Sequence, residues 1–149
     1  MHMKNTTPLF RKLDATECQA LLARLRVGRI AYSFHDHVDI EPISYVFDAG
    51  WIFARTSIGS KLSSLAHHPW CAFEVDEVRG DFDWMSVVVK GSLTLLDPMT
   101  GTDTYARAAE LLGQLVPGTF TLADPVPHRT MLIGIHIDEM SGRCAQPRA

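Results

Sequence analysis

The sequence is poor in the residues that build disulfide scaffolds and zinc sites. It holds only three cysteines, Cys18, Cys71 and Cys144, and an odd number at wide spacing fits neither kind of site. All its apolar runs are shorter than the roughly 18 residues that indicate a membrane-spanning helix, and its beginning lacks the charged-then-apolar pattern of a signal peptide. We therefore expect a cytoplasmic protein with reduced thiols, no bound metal and no membrane partner.

Charge of either sign is also modest. Fourteen lysines and arginines stand against seventeen aspartates and glutamates, which gives a net charge of −3. A broad nucleic-acid-binding face needs a strongly basic balance, so no nucleic-acid partner is expected and any anion site must be local. The 149 residues are 46% apolar, which is enough for the core of a single domain over residues 1–149.

The common nucleotide-binding and hydrolytic motifs are missing as well. A P-loop needs glycine directly before lysine, whereas Ser60 separates Gly59 from Lys61, and Ala54 takes the place of the earlier glycine. The dinucleotide fingerprint Gly-x-Gly-x-x-Gly, the nucleophile elbow Gly-x-Ser-x-Gly and the metal motif His-Glu-x-x-His are also absent. The sequence therefore assigns no catalytic side chain.

The most informative segment that is present runs from Trp51 to Asp76. It is typical of a strand, a polar turn, a short helix and a second strand. The turn concentrates two cations, three hydroxyls and a glycine: Arg55, Thr56, Ser57, Gly59, Ser60 and Lys61. Hydroxyls and exposed N–H groups at a helix start donate to phosphate oxygens. Arginine adds a planar fork and lysine a point charge, so the turn predicts a phosphate site.

Elsewhere the pattern predicts mostly short strands. Asp14 and Glu17 form a capping box for a helix that reaches about Arg26, with Gly28 placed to end it. Further helices are predicted over Ser60–Ala66 and Tyr105–Leu115. The predicted strands are Arg29–Phe34, Val38–Phe47, Trp51–Arg55, Trp70–Asp76, Met85–Leu96 and Thr130–Asp138. The remaining segments Glu77–Asp83 and Val116–Arg129 are predicted loops, and the tail after Ser141 is predicted to be loose. Six strands in series favour a mainly β, closed antiparallel barrel.

Four pieces of the sequence, in this order, resemble a known family. They are LDATECQALLARLRVGRIAYS, EPISYVFDAGWIFARTSIGSKLSSLAHHPWCAFEVD, DWMSVVVKGSLTLL and MLIGIHIDEMSGR. Together they resemble the pyridoxamine 5′-phosphate oxidase-related FMN-binding split barrels. Within these they are most similar to the small branch that includes nitroimidazole reductases. The resemblance implies a six-stranded antiparallel split barrel with helices, and a homodimer with two FMN sites at the subunit interface.

The resemblance also implies site residues. The strand that carries Pro42, Ile43, Ser44 and Tyr45 would lie along the flavin ring, largely through backbone groups. The phosphate and ribityl chain would be held by Arg55, Thr56, Ser57, Ser60, Lys61 and Leu62. A segment of the second subunit would cover the other side of the ring through Trp84, Met85, Ser86 and Val87. Many relatives carry histidine at the position of Arg55, and the loop Val116–Arg129 is expected to shape the substrate pocket.

The function implied is an FMN-dependent oxidoreductase that reduces a small nitroaromatic or quinone-like acceptor with a nicotinamide donor, NADH or NADPH. Hydride transfer belongs to the flavin, which explains the lack of a catalytic side-chain set. Three alternatives stay open: a haem-binding or haem-degrading protein, a flavin-binding module without turnover, and a deazaflavin binder. His67 and His68 either cap the short helix or lie near the flavin.

Overall fold

The computed structural model describes residues 7–57, 60, 70–99 and 102–148. Seven strands and two helices lie within these ranges. They are β1 (Leu9–Leu13), α1 (Ala15–Arg24), β2 (Val27–Phe34), β3 (His37–Asp48), β4 (Trp51–Thr56), β5 (Trp70–Gly80), β6 (Asp83–Leu96), α2 (Thr102–Leu115) and β7 (Met131–Gln146). Within this part of the chain, neither helix has the length and apolar character that crossing a membrane requires.

Helix α1 begins at the predicted capping box. The Asp14 side chain accepts from the Glu17 N–H at 2.8 Å, and the Glu17 side chain accepts from the Asp14 N–H at 3.2 Å, so two orphan donors are satisfied. The prediction that Gly28 ends this helix is wrong, because the C-cap is Leu25 in an extended conformation. Gly28 lies instead in β2, where a Cβ atom would meet the Phe73 ring at 2.2 Å.

The strands form one antiparallel sheet in the order β1-β7-β4-β3-β2-β5-β6, and β6 also pairs with β7. This last pairing closes β2 to β7 into a ring of six strands, in which each strand pairs on both sides over at least part of its length. The prediction of a mainly β antiparallel barrel is therefore confirmed. The strand count is seven rather than six, because β1 adds to the outer part of β7, from Leu9↔Gln146 to Leu13↔Gly142.

Two predicted boundaries are wrong. The predicted loop Glu77–Asp83 is mostly strand, because β5 and β6 keep pairing up to Gly80↔Asp83. The tail after Ser141 is not loose, because β7 continues to Gln146 between β6 and β1. Both segments are polar in sequence and gain their order from partners elsewhere in the sheet, which a local pattern does not report.

The barrel interior and the face under α2 hold separate apolar clusters. The larger cluster includes Tyr45, Phe73 and Val87 inside the ring. The smaller cluster packs α2 onto the sheet through Phe53, Leu96, Ala108, Leu112 and Leu132. As a result, the C-terminal end of α2 and the loop that follows it are held against β4.

The ring is split between β3 and β4. These strands pair only from Tyr45↔Ala54 to Asp48↔Trp51, next to the tight turn at Ala49 and Gly50. Beyond Tyr45, β3 continues to pair with β2 alone. Beyond Ala54, β4 continues to pair with β7 alone. The two strands therefore diverge and leave an opening in the barrel wall.

Candidate functional site

The opening between β3 and β4 contains a polar pocket of about 210 Å³. Its lining comes from both diverging strands and from the end of the loop 116–129. The lining residues are Glu41, Pro42, Ile43, Arg55, Thr56, Ser57, His128 and Arg129. Five of the residues singled out in the sequence are thus brought together: Pro42, Ile43, Arg55, Thr56 and Ser57.

Three hydroxyl residues form a turn at the end of β4. The Thr56 and Ser60 hydroxyl oxygens lie 2.8 Å apart in a hydrogen bond, and the Ser60 N–H donates to the Ser57 carbonyl at 3.2 Å. Thr56 is buried, whereas Ser57 and Ser60 are half-buried. Hydroxyl groups in such an arrangement can donate to the oxygens of an anion in the pocket.

Strand β3 contributes Glu41, Pro42 and Ile43 to this pocket. Pro42 is exposed on the part of β3 that pairs only with β2, an edge position of the kind that proline tolerates. The Tyr45 ring points into the core, where it meets Phe73 edge-on at 4.9 Å and its hydroxyl donates to the Leu22 carbonyl at 2.6 Å. Burial raises the pKa of Tyr45 far above its usual range. Tyr45 can therefore contact a ligand in the opening only through its backbone.

Arg55 is tied to the loop 116–129 rather than left open to the pocket. Its Nη2 and Nη1 donate to the Asp124 carboxylate at 2.6 and 3.3 Å, and its Nε donates to the Arg129 carbonyl at 3.0 Å. The Phe120 ring covers the guanidinium at 4.6 Å. Much of the donor capacity that the sequence suggested for a phosphate is thus directed to the loop.

Asp124 organises the loop around this ion pair. Besides Arg55, its carboxylate accepts from the backbone N–H groups of Phe120 at 2.8 Å and Val126 at 3.0 Å. The Arg55 hydrogen bonds, together with these backbone bonds, hold the pKa of Asp124 well below its usual range. The loop Val116–Arg129 contains no helix or strand, as predicted, but it is a folded structure and not an open connection.

His128 and Arg129 are pocket residues that the sequence reasoning missed. Both are exposed and lie in a proline-rich stretch. No motif marks them, because they reach the pocket only through the fold of the loop. The one local signal was two adjacent basic side chains at the end of the loop already expected to shape a substrate pocket.

A second pocket, of about 230 Å³, lies on the other side of Arg55. It is bounded mainly by apolar side chains from α2 and the loop, with Ser44 reaching in from β3. The lining residues are Ser44, Arg55, Leu112, Leu115, Val116, Pro125, Val126 and Arg129. Arg55 and Arg129 belong to both pockets and form a shared wall.

Glu41 is the acidic residue in the lining of the polar pocket. The Tyr32 hydroxyl donates to its carboxylate at 3.3 Å. Burial, followed by the nearby Glu41 charge, raises the pKa of Tyr32 to about 12. Because the tyrosine therefore keeps its proton at neutral pH, it continues to donate to Glu41.

Trp84 and Ser86 do not reach these pockets within one chain. They line a surface depression together with Ser141, Gly142 and Arg143, and Trp84 also packs against Phe10 with ring centroids 6.4 Å apart. The Val87 side chain is completely buried in the barrel. Only the backbone of Val87 remains available to a ligand outside the barrel.

Some sequence-predicted features fall outside the described residues. These are Lys61, Leu62, His67, His68 and the predicted helix Ser60–Ala66 beyond its first residue. The phosphate cradle is therefore described from Arg55 to Ser57 and at Ser60.

Comparison with known proteins places the chain in a family. The sequence profile of the family described as pyridoxamine 5′-phosphate oxidase matches residues 14–144. An uncharacterized protein of Rhizobium meliloti strain 1021, RA0666, is 27% identical over 143 residues, covering 91% of this chain and 95% of that protein.

Solved structures with the same fold include proteins described as FAD-binding. A FAD-binding protein from Mesorhizobium loti has 27% identity and a TM-score of 0.73, over 95% of this chain and 99% of that one. The FAD binding protein from Mycobacterium smegmatis has 24% identity and a TM-score of 0.62, over 91% and 97% of the two chains. Since the profile match covers most of the sequence, the chain belongs to the pyridoxamine 5′-phosphate oxidase family.

Proposed function

We propose that the protein binds FMN in the opening between β3 and β4. The observation that carries this proposal is the divergence of the two strands after Tyr45 and Ala54. It gathers the exposed edge of β3 and the hydroxyl turn after β4 around one polar pocket. Relatives with the same fold are described as FAD-binding, which supports a flavin and makes FAD the ligand to compare with FMN.

The donor set of the pocket fits a phosphate. Thr56, Ser57 and Ser60 supply hydroxyl donors in one turn, and His128 and Arg129 add basic groups at the rim. Lys61, one residue after Ser60, is proposed as the main cation, since a lysine serves a phosphate as a point charge. Arg55 is a positioning residue in this arrangement, because its guanidinium fixes the loop that carries the two basic groups.

A second copy of the chain is proposed to complete the site. Phe10 and Phe82, whose rings meet edge-on at 6.5 Å, are 60% and 54% exposed, and Trp84 packs beside Phe10. An exposed aromatic group of this kind is typical of an interaction surface. A homodimer that buries it would bring Trp84 and Ser86 of one copy toward the flavin of the other, as the family resemblance implies.

The activity proposed is that of an FMN-dependent oxidoreductase. Bound FMN would accept a hydride from NADH or NADPH and pass the electrons to a small organic acceptor such as a nitroaromatic or quinone. The protein's own part is to hold the ring, to exclude water and to shape an open face for donor and acceptor. No acid–base pair in the polar pocket is required for this.

Absorption spectroscopy under anaerobic conditions tests the proposed activity. The FMN-loaded protein should lose its visible flavin bands on addition of NADH or NADPH and recover them when a nitroaromatic or quinone is added, over repeated cycles. Failure of every donor to bleach the bound flavin would reduce the proposal to a flavin-binding module. A Soret band on adding haem, without any flavin uptake, would indicate that the cofactor is haem and not FMN.

A further inference from the structure

The apolar pocket behind Arg55 contains none of the hydroxyl residues proposed to bind the flavin phosphate. It is bounded by Leu112 and Leu115 of α2 and by Val116, Pro125 and Val126 of the loop, and it shares only Arg55 and Arg129 with the polar pocket. Ser44 contributes to its wall from β3, the strand proposed to lie along the flavin ring. The pocket therefore adjoins the proposed flavin site on the side away from the hydroxyl turn.

Its volume suits a ligand with a single ring. An apolar cavity of about 150 Å³ is enough to hold benzene, whereas sites for drug-sized ligands usually exceed about 300 Å³. At about 230 Å³, the pocket suits a single six-membered ring with one or two small substituents. Aliphatic walls on several sides favour a flat apolar body over a sugar or a nucleotide.

The charges at its wall favour an anionic substituent. Asp124 neutralises Arg55 through a bidentate ion pair in which the side chains are 7% and 3% exposed. Arg129 is joined to this group by its carbonyl, which accepts from Arg55. Within the described ranges, no hydrogen bond or ion pair is made by the Arg129 guanidinium, so in the flavin-free protein this cation of the shared wall is available to an anion entering from either pocket. A carboxylate on the ring could pair with it.

We infer that this pocket binds a single-ring aromatic carboxylate, with the ring against Leu112, Val116 and Val126 and the carboxylate on Arg129. A role of this pocket in binding the electron acceptor rests on the proposed flavin function. The binding of an aromatic carboxylate does not. A nitrobenzoate would combine a reducible group with the recognised anion.

Calorimetry with benzoate as the probe, and with benzyl alcohol as its uncharged counterpart, tests the inference. Both are titrated first into the flavin-free protein, in which no flavin phosphate competes for Arg129, and then into the FMN-saturated protein. Arg129→Gln should weaken benzoate binding about 3- to 10-fold, a range reduced to allow for the solvent exposure of Arg129, and should leave benzyl alcohol within about twofold. Arg148→Gln, at another exposed arginine that lines neither pocket, is the matched control and should change neither.

A second variant locates the ring. Val126→Phe fills the half-buried wall of the pocket and should abolish binding of both probes, while circular dichroism and FMN affinity stay unchanged. No benzoate binding by a protein that takes up FMN would overturn the inference and leave the flavin function standing. Benzoate binding without FMN uptake would support the inference and contradict the flavin function. Equal losses of benzoate and benzyl alcohol in Arg129→Gln would overturn the charge pairing.

Discussion

The Arg55 guanidinium and the Asp124 carboxylate form a bidentate ion pair at 2.6 and 3.3 Å, with both side chains nearly inaccessible to solvent. The pair joins β4 to the loop 116–129 across 69 positions of sequence. Both pockets of the opening have Arg55 in their walls. The position of the loop, and with it the shape of both pockets, therefore depends on this contact.

Replacing Asp124 should release the loop. Asp124→Asn removes the charge that faces Arg55 and leaves a buried guanidinium without its partner, a strongly unfavourable state. Since the Arg129–Thr130 bond lies at the end of the loop, trypsin should cleave there about tenfold faster or more, as expected for local opening. Asp36→Asn is the control, because Asp36 sits in an exposed turn at φ 63°, a conformation that asparagine tolerates.

The same pair predicts a pH dependence with a definite sign. The pKa of Asp124 is lower in the folded than in the unfolded chain, mainly because of Arg55. Its contribution is therefore complete above the ordinary aspartate pKa of about 3.9 and is lost as the pH falls below it. Urea unfolding should show a constant stability difference between wild type and Asp124→Asn from pH 7 to about 5, and a shrinking one below pH 4. A difference that grew on acidification would contradict this assignment.

Alanine substitutions at two glycines, one at the β6–β7 contact and one in α2, should change the free energy of unfolding in opposite directions. A Cβ atom at Gly91 would lie 2.0 Å from the His136 carbonyl oxygen across the β6–β7 contact, whereas one at Gly113 in α2 would meet nothing within 4 Å. Gly91→Ala should lower the free energy of unfolding by about 1–3 kcal/mol through overpacking. Gly113→Ala should raise it by about 0.5–1 kcal/mol. Equal effects in chemical denaturation would show that β6 and β7 do not approach so closely.

Much of the fold follows from local patterns in the sequence. The capping box of Asp14 and Glu17 was predicted, because its two residues lie close together in the chain. The turns between β2, β3 and β4 are equally local. The strand β1 and the end of β7 were missed because each is ordered by the other, as in the pairing of Leu13 with Gly142. Such pairing depends on distant residues and leaves no local periodicity.

The candidate site divides in the same way. Thr56 and Ser57 were predicted from a dense run of phosphate-binding side chains, and they do line the polar pocket. The partner of Arg55 was not predictable, because nothing near Asp124 in sequence marks it as the counter-ion of an arginine on β4. His128 and Arg129 were missed for the same reason, since only the folded loop brings them to the opening.

Lys61 and Thr56 should separate recognition of the phosphate from recognition of the ring. Lys61→Ala removes a charge-assisted contact worth about 1.5–3 kcal/mol, so the FMN dissociation constant should rise about 10- to 150-fold. Thr56→Val keeps the shape of the side chain but loses the hydroxyl bonded to Ser60, and a smaller loss of about 3- to 10-fold is expected. Riboflavin, which lacks the phosphate, should be nearly unaffected. Equal losses for both ligands would place these residues away from the phosphate.

The exposed aromatic group predicts the oligomeric state. Light scattering should give twice the 16.6 kDa mass of the chain. Phe82→Asp puts a charge into the group of Phe10, Phe82 and Trp84 and should raise the dimer dissociation constant at least about tenfold. Leu122→Asp, at a fully exposed loop position, is the control. A monomeric wild-type protein would contradict the proposal that two copies of the chain share a flavin site.

Trp84 tests whether that surface also reaches the flavin of the other copy. Trp84→Ala should change the preference among nitroaromatic and quinone acceptors by about 1–3 kcal/mol in binding, because an aromatic wall is removed. FMN affinity should change far less. A uniform loss of FMN affinity with no change in acceptor preference would assign Trp84 to the dimer contact alone.

Titration of the flavin-free protein with FMN, followed by flavin fluorescence, tests directly whether the opening between β3 and β4 binds a flavin. We expect quenching or a shift of the emission that saturates at one FMN per chain, with at least micromolar affinity, about 8 kcal/mol. FAD and riboflavin, titrated in parallel, show whether the phosphate end or the ring of the flavin contributes more to the binding affinity. Absence of binding at about 0.1 mM FMN, a concentration at which even an interaction of about 5 kcal/mol would be visible, would contradict the claim that the opening between β3 and β4 is a flavin site.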